Sequence, residues 1–392
     1  LLQSTSRRIY GLDILRAFAI LFVIIEHGRF LLPAKEFPTR YFFWLKIFVD
    51  GVSLFFVLSG YLIGGILIKT IEIKKINAIA LFDFWIKRWL KTLPSYFLIL
   101  IVLILLSLMS GKLPDGIFRY FCFSQNFASS HPDFFNEAWS LCVEEWFYIL
   151  VPIFIFLLNG LLKIKTKISI LLTSIFFLVL PIVFRYFRFS ELDLKHVHSW
   201  DLLFRKQVVT RLDSIMYGVV GAYLSYFYPR IWKMKKEFLF ITGIAILLAG
   251  RIFELLNTSN LDLYSCVFSF SINAVGALFL LPYLSNIKTG HGILFKIITF
   301  LSLISYSMYL LNLSVIQASI INKIQMPLLT DTSQQSVKYL IYWVLTLFFS
   351  FLLYRYFEKP IMNLRYKIRL NVEDKQLSLD ALEKKVLIGD LK

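Results

Sequence analysis

Charged side chains are scarce in this 392-residue chain: only 17% of it is charged, against 58% hydrophobic, and mean hydropathy is +0.70. So little charge excludes an ordinary soluble globular protein. Nearly uncharged apolar runs of roughly eighteen residues or more recur along most of the length, long enough to cross a bilayer. Cysteine is almost missing as well. Cys122, Cys142 and Cys266 are far apart, form no disulfide framework and match no metal or redox spacing, so no metal is expected. Cys142 and Cys266 read as small apolar packing residues. The first apolar run is span-length and lacks a small-x-small cleavage site, which argues against a cleavable signal peptide. No short-period repeat and no inverted repeat of the transporter kind is visible.

What is present points to an all-α, polytopic helical membrane protein. Forty Phe and twenty Tyr supply lipid-facing and interfacial aromatic surface. The net charge of +17 is spread over many loops rather than gathered in one patch, so nucleic acid is not an expected partner. About ten spans are expected, near 10–31, 48–68, 94–110, 140–159, 168–187, 211–228, 237–255, 263–284, 293–321 and 338–357. The ninth is long enough to be tilted or broken. Lys and Arg concentrate in alternate loops and in the tail, about 25 against about 14, which by the positive-inside rule places both termini in the cytoplasm. An even number of spans agrees, since it leaves both termini on one side.

The first apolar stretch, YGLDILRAFAILFVIIEHGRFLL, carries Asp13, Arg16, Glu26 and His27. Ionisable groups inside a span are costly and face a protein interior or a watery site. Arg16 and His27 fall within ~20° of each other in helical phase and ~16 Å apart along the axis. Asp13 joins the same stripe, whereas Glu26 points ~100° away from His27. With the N-terminus inside, Asp13 and Arg16 lie in the inner leaflet and His27 near the outer boundary. Imidazole is the side chain best suited to accept a proton near neutral pH, so His27 is a candidate general base; an interfacial histidine bonded to lipid headgroups is the plainer reading.

Three later stretches add polar groups. In GVSLFFVLSGYLIGGIL, Gly60 and Gly64 form a small-xxx-small pair suited to close helix contact. FDFWIKRWLKTLP ends a cytoplasmic loop and places Arg88 and Lys91 beside Trp85 and Trp89. By composition it is an inner-interface belt on anionic lipid; the sharper reading is a phosphate clamp. NEAWSLCVEEWFYILVP brings Glu144 and Glu145 to the outer end of the fourth span, Glu144 on the face of Tyr148. A carboxylate at that depth is placed to fix the tautomer of His27, or simply meets interfacial water.

RRIYGLDILRAFAILFVIIEH, GVSLFFVLSGYLI, FWIKRWLKTLP, AWSLCVEEWFYILVP, TRLDSIMYGVVGAYL, SYSMYLLNLSVI and RYFEKPI follow one another from residue 7 to about 363. In that order the seven motifs resemble the signatures of the membrane-bound acyltransferase-3 family. The resemblance implies a ten-span enzyme over residues 1–363, followed by a cytoplasmic tail over 364–392. It would transfer an acyl group, usually acetyl, from cytosolic acyl-CoA to a hydroxyl of an extracytoplasmic glycan in a bacterial inner membrane. His27 and Arg16 match the family's essential histidine and arginine. Arg88 and Lys91 occupy an Arg-x-x-Arg motif, with Lys keeping the charge but not the bidentate geometry. Asn312 stands where the family often has His, which excludes a base there.

The expected division of labour follows. Arg88, Lys91, Arg16 and Asp13 hold the donor, and its pantetheine arm threads between spans one, two and four. His27 deprotonates the acceptor or carries the acyl group, with Glu144 orienting it. Trp139, Ser140, Arg211, Asp213, Tyr309 and Asn312 contact the acceptor. A transporter or flippase of a glycolipid or small solute, and a non-catalytic scaffold, are the competing classes.

Overall fold

The computed structural model describes residues 8–32, 50–74, 78–111, 113–192, 197–256, 261–327 and 329–364. Among them the chain is helical, with no strand. A chain this apolar in a bilayer satisfies its backbone N–H and C=O groups within each segment, and the helix does that. Ten long helices run in order: α1 (Tyr10–Gly28), α2 (Gly51–Lys74), α3 (Ala78–Met109), α4 (Ala138–Ile155), α5 (Thr166–Glu191), α6 (Leu212–Phe227), α7 (Lys236–Leu256), α8 (Ser269–Leu284), α9 (Gly292–Leu311) and α10 (Asp331–Leu353).

Among the described residues, eight helical stretches are long and apolar enough to cross a membrane. The other two long helices are α1, which carries Asp13, Arg16 and Glu26, and α6, which has 16 residues. Both are wrapped by protein. α6 lies against α2, α5 and α8, and α1 against α2, α8 and α9. A helix enclosed by other helices can hold charges that lipid would reject.

Each expected span falls on one of these helices, with two differences. FDFWIKRWLKTLP is not a loop: α3 begins at Ala78 and runs through Pro94 to Met109, so Arg88 and Lys91 are helical residues inside the bundle. Pro94 costs one backbone bond without ending the helix, because packing on both sides holds it. The ninth span is indeed irregular beyond its middle, since α9 widens into a π-helical stretch over Asn312–Ile320 and then a tight turn over Ile321–Lys323. The expected tail lies, from residue 365 on, outside the described residues.

The glycine spacing in α2 does what small-xxx-small pairs do. A Cβ on Gly60 would sit 1.9 Å from the carbonyl oxygen of Ile215, and one on Gly218 would sit 2.0 Å from that of Val57. The α2 and α6 backbones therefore touch, which in lipid is the main way helices gain contact energy. Cys142 and Cys266 are fully buried, as packing residues should be.

Candidate active site

A seam of polar residues crosses the bundle between α1, α2, α3, α4 and α9. At the end where α1 begins, Asp13 accepts from Arg8 through Nε (3.0 Å) and Nη2 (2.7 Å), and from Arg16 Nη1 at 3.4 Å. Ser302 of α9 closes the cluster, donating to Asp13 at 2.8 Å and accepting from Arg16 at 3.3 Å. Asp13 is thus saturated by neighbours of its own chain, and Arg16 is the half-buried cation beside it.

The middle level belongs to α3 and α4, which run antiparallel. Arg88 Nη2 donates to Glu144 Oε2 at 2.7 Å and to the Tyr148 hydroxyl at 3.0 Å, while its guanidinium lies 4.2 Å from the Tyr148 ring centre. Tyr148 donates in turn to Glu144 at 3.0 Å and meets the Ser59 hydroxyl of α2. Glu145 faces the other way, accepting from Trp89 at 3.1 Å and Thr92 at 3.3 Å. These bonds bear on two expectations. Glu144 lies six residues inside α4 and bonds Arg88 and Tyr148 rather than His27. The charge of Arg88 is balanced by Glu144 within the bundle, and its buried Nε has no hydrogen-bond partner among the described residues. Lys91, one turn along, lies in the field of Glu358, which accepts from Ser307 at 2.7 Å.

Nearer the end where α1 stops, the Tyr309 hydroxyl donates to the carbonyl of Glu137 at 3.0 Å and contacts Ser140 Oγ at 2.6 Å. The Glu137 side chain accepts from Ser314 N at 3.1 Å and from Ser314 Oγ. Burial pushes its carboxyl up to about 7 against those hydrogen bonds. Trp139 is 4% exposed and lies beneath two guanidiniums, 5.3 Å from Arg205 and 5.9 Å from Arg211. Arg211 donates to Ser53 at 3.1 Å, faces Phe270 at 4.4 Å, and keeps Nε and Nη1 without a hydrogen-bond partner among the described residues.

At the far end of α1, His27 Nδ1 lies 2.5 Å from Asn312 Oδ1. The Asn312 amide donates to the carbonyls of Met308 at 2.9 Å and Tyr309 at 2.7 Å, and Tyr342 reaches its oxygen at 3.4 Å. Gln317 holds the His27 carbonyl at 3.1 Å. Asn312 is therefore bonded to the histidine and to its own helix. Glu26 points away as its helical phase requires, pairing with Arg29 at 3.0 Å. Asp213 is fully buried against Arg185 at 2.8 Å and accepts from Ser271 at 2.8 Å, an ion pair that ties α5, α6 and α8 together.

So α1 and α9 run parallel and are locked at two levels, Asp13 and Arg16 to Ser302, and His27 to Asn312. The seam carries cations at its Asp13 end, a buried ion pair midway and an imidazole at its His27 end. Sequence reasoning missed Asn312 as the histidine's partner and missed Glu137 altogether. The first was recoverable from spacing, since ten residues from Ser302 to Asn312 match the rise from Arg16 to His27 to within about one turn. No cluster of His, Cys, Asp and Glu fit to hold a metal exists among the described residues.

The acyltransferase domain family model, Acyl_transf_3, matches residues 9–355. A Staphylococcus aureus (strain COL) protein whose name assigns O-acetyltransferase activity provisionally is 26% identical over 379 residues, 90% of this chain and 57% of that protein. O-acetyltransferase OatA of Staphylococcus aureus is 32% identical over 236 residues, 56% of this chain and 35% of OatA. The chain thus matches about half or less of the length of these relatives. No solved structure matches it significantly.

Proposed function

This chain belongs to the acyltransferase-3 family, and from that premise we propose that it moves an acetyl group from a cytosolic acyl thioester, acetyl-CoA, to a hydroxyl of an extracytoplasmic glycan. The bacterial relatives named as O-acetyltransferases favour acetyl and a bacterial cytoplasmic membrane. The proposal includes ten spans with both termini inside, so that the Arg16 end of the seam meets the donor and the His27 end meets the acceptor.

The observation that carries this reading is the two-level seam along α1 and α9. A base at the outer surface and cations ~16 Å deeper suit a donor whose anionic end stays inside while its thioester reaches out. Arg16, Arg88, whose Nε has no partner among the described residues, and Lys91 are the groups that would hold the donor's phosphates and carbonyls. Trp139, Ser140, Tyr309 and Arg211 border the histidine's end and would position the acceptor. His27 takes the acceptor's proton; the new alkoxide attacks the thioester carbon, the C–S bond breaks, and the proton passes to the leaving thiolate. Glu144 supports the donor level by fixing Arg88.

Purified protein should release free CoA from acetyl-CoA when a glycan acceptor is present, and the His27→Ala variant should not. A transporter or a scaffold would release none in either case, and equal release by both proteins would dismiss His27.

A further inference from the structure

Whatever reaction His27 performs depends on which ring nitrogen carries its proton. That is decided by Asn312. Both amide N–H groups of Asn312 are taken by the carbonyls of Met308 and Tyr309, at the junction where α9 widens into its π stretch. Only the amide oxygen is left to face the ring, and it does so at 2.5 Å from Nδ1. Two lone pairs cannot meet at that distance, so the proton must lie between them, on Nδ1. The Tyr342 hydroxyl, 3.4 Å from the same oxygen and 3.3 Å from the Ile24 carbonyl, reinforces the amide's orientation from α10.

We propose that Asn312 is a positioning residue that holds His27 in the Nδ1–H tautomer, leaving Nε2 as the atom that takes the acceptor's proton. The proposal rests on the catalytic reading of His27 given above. It gives this chain a neutral partner for its histidine, in place of the carboxylate that commonly fills that role. An amide orients the ring without holding it as a cation. The charged groups around the ring are Glu26 on its own helix, paired with Arg29, and Arg205 and Lys206 from the segment before α6. Those two cations are both tied to Asp201, at 2.7 and 2.6 Å.

The tautomer is read directly from the resting protein labelled with 15N-histidine, in nanodiscs, with His27→Ala identifying the signal. A protonated Nδ1 and unprotonated Nε2 are expected; the reverse assignment overturns the proposal without reference to activity. Kinetics supply the second arm. Asn312→Leu should lower kcat on the order of 10²-fold or more, with little change in KM for acetyl-CoA. Asn312→Asp keeps an acceptor opposite Nδ1 and should retain most of the high-pH rate. Its carboxylate stabilises the imidazolium, so the acidic limb of kcat should move to higher pH. Wild-type kcat and pH profile in both variants would overturn the proposal. Loss of folding in Asn312→Leu leaves the Asp variant and the NMR to decide. Full activity in His27→Ala would instead remove the histidine's catalytic role, a failure distinct from a wrong tautomer.

Discussion

His27 meets Asn312 at 2.5 Å across the α1–α9 interface, and the same two helices meet again where Asp13 accepts from Ser302 at 2.8 Å. Two fixed points on parallel helices set the register of the whole seam. A slide of either helix by one turn, ~5.4 Å, would break both contacts at once. Removing the Asp13–Ser302 contact should therefore be felt at the His27–Asn312 one: Ser302→Ala is expected to lower acetyl transfer several-fold, with a smaller loss in thermal stability. Parallel measurement of turnover and melting temperature checks this, and a stability loss with unchanged turnover would uncouple the two levels.

Arg88 and Glu144 form a pair within the bundle, so removing one partner strands the other. Arg88→Ala should cost about 3–5 kcal/mol through the uncompensated Glu144 carboxylate. The double variant Arg88→Met/Glu144→Leu should recover much of that stability, yet bind acetyl-CoA weakly if the cation also serves the donor. Thermal melts and a donor titration separate the two roles. Wild-type donor affinity in the double variant would leave Arg88 with a structural role alone.

The contact between α2 and α6 leaves no room for a side chain. Gly60→Ala forces a Cβ onto the Ile215 carbonyl, 1.9 Å away in the native backbone, and a backbone cannot yield as a side chain does. Overpacking of this kind costs about 1–3 kcal/mol or more. The variant should express poorly and melt well below wild type, whereas Gly65→Ala, with nothing within 4 Å, should be neutral. A Gly60→Ala protein of normal stability would refute the close contact.

Glu137 makes stability depend on pH. Burial raises its carboxyl to about 7 from an ordinary value of 4.5, so the folded state binds more protons than the unfolded state between those limits. Its contribution is present at low pH and lost as pH rises through about 7. Glu137→Gln should therefore melt a few degrees above wild type at pH 8 and close to it at pH 5. Melting curves at the two pH values test it; a variant destabilised equally at both would show that the acid's charge is irrelevant.

Much of this architecture is legible in the chain alone. The apolar runs locate the long helices, and the phase of Arg16 and His27 puts them on one face. What sequence leaves open is which partner each polar residue takes. Glu144 had the right chemistry to serve His27, but helical rise carries it inward to Arg88, a fact set by the α3–α4 register. FDFWIKRWLKTLP looks like a loop because its Lys, Arg and Trp suit an interface; packing against Glu144, Glu145 and Tyr148 makes it helix instead. Asn312 looked like the loss of a base, and in the structure it lies against His27. Asp213, in a motif that suggested substrate contact, is spent on Arg185.

Acyl transfer through His27, from one side of the membrane to the other, is what the proposed function requires. The direct test is a sealed proteoliposome with isotopically labelled acetyl-CoA on the side of the termini and a glycan acceptor on the opposite side. Wild-type protein should place label on the acceptor with acetyl-CoA excluded from that compartment, and His27→Ala should place none. Labelling that requires donor and acceptor on the same side, or that persists in His27→Ala, would contradict the account.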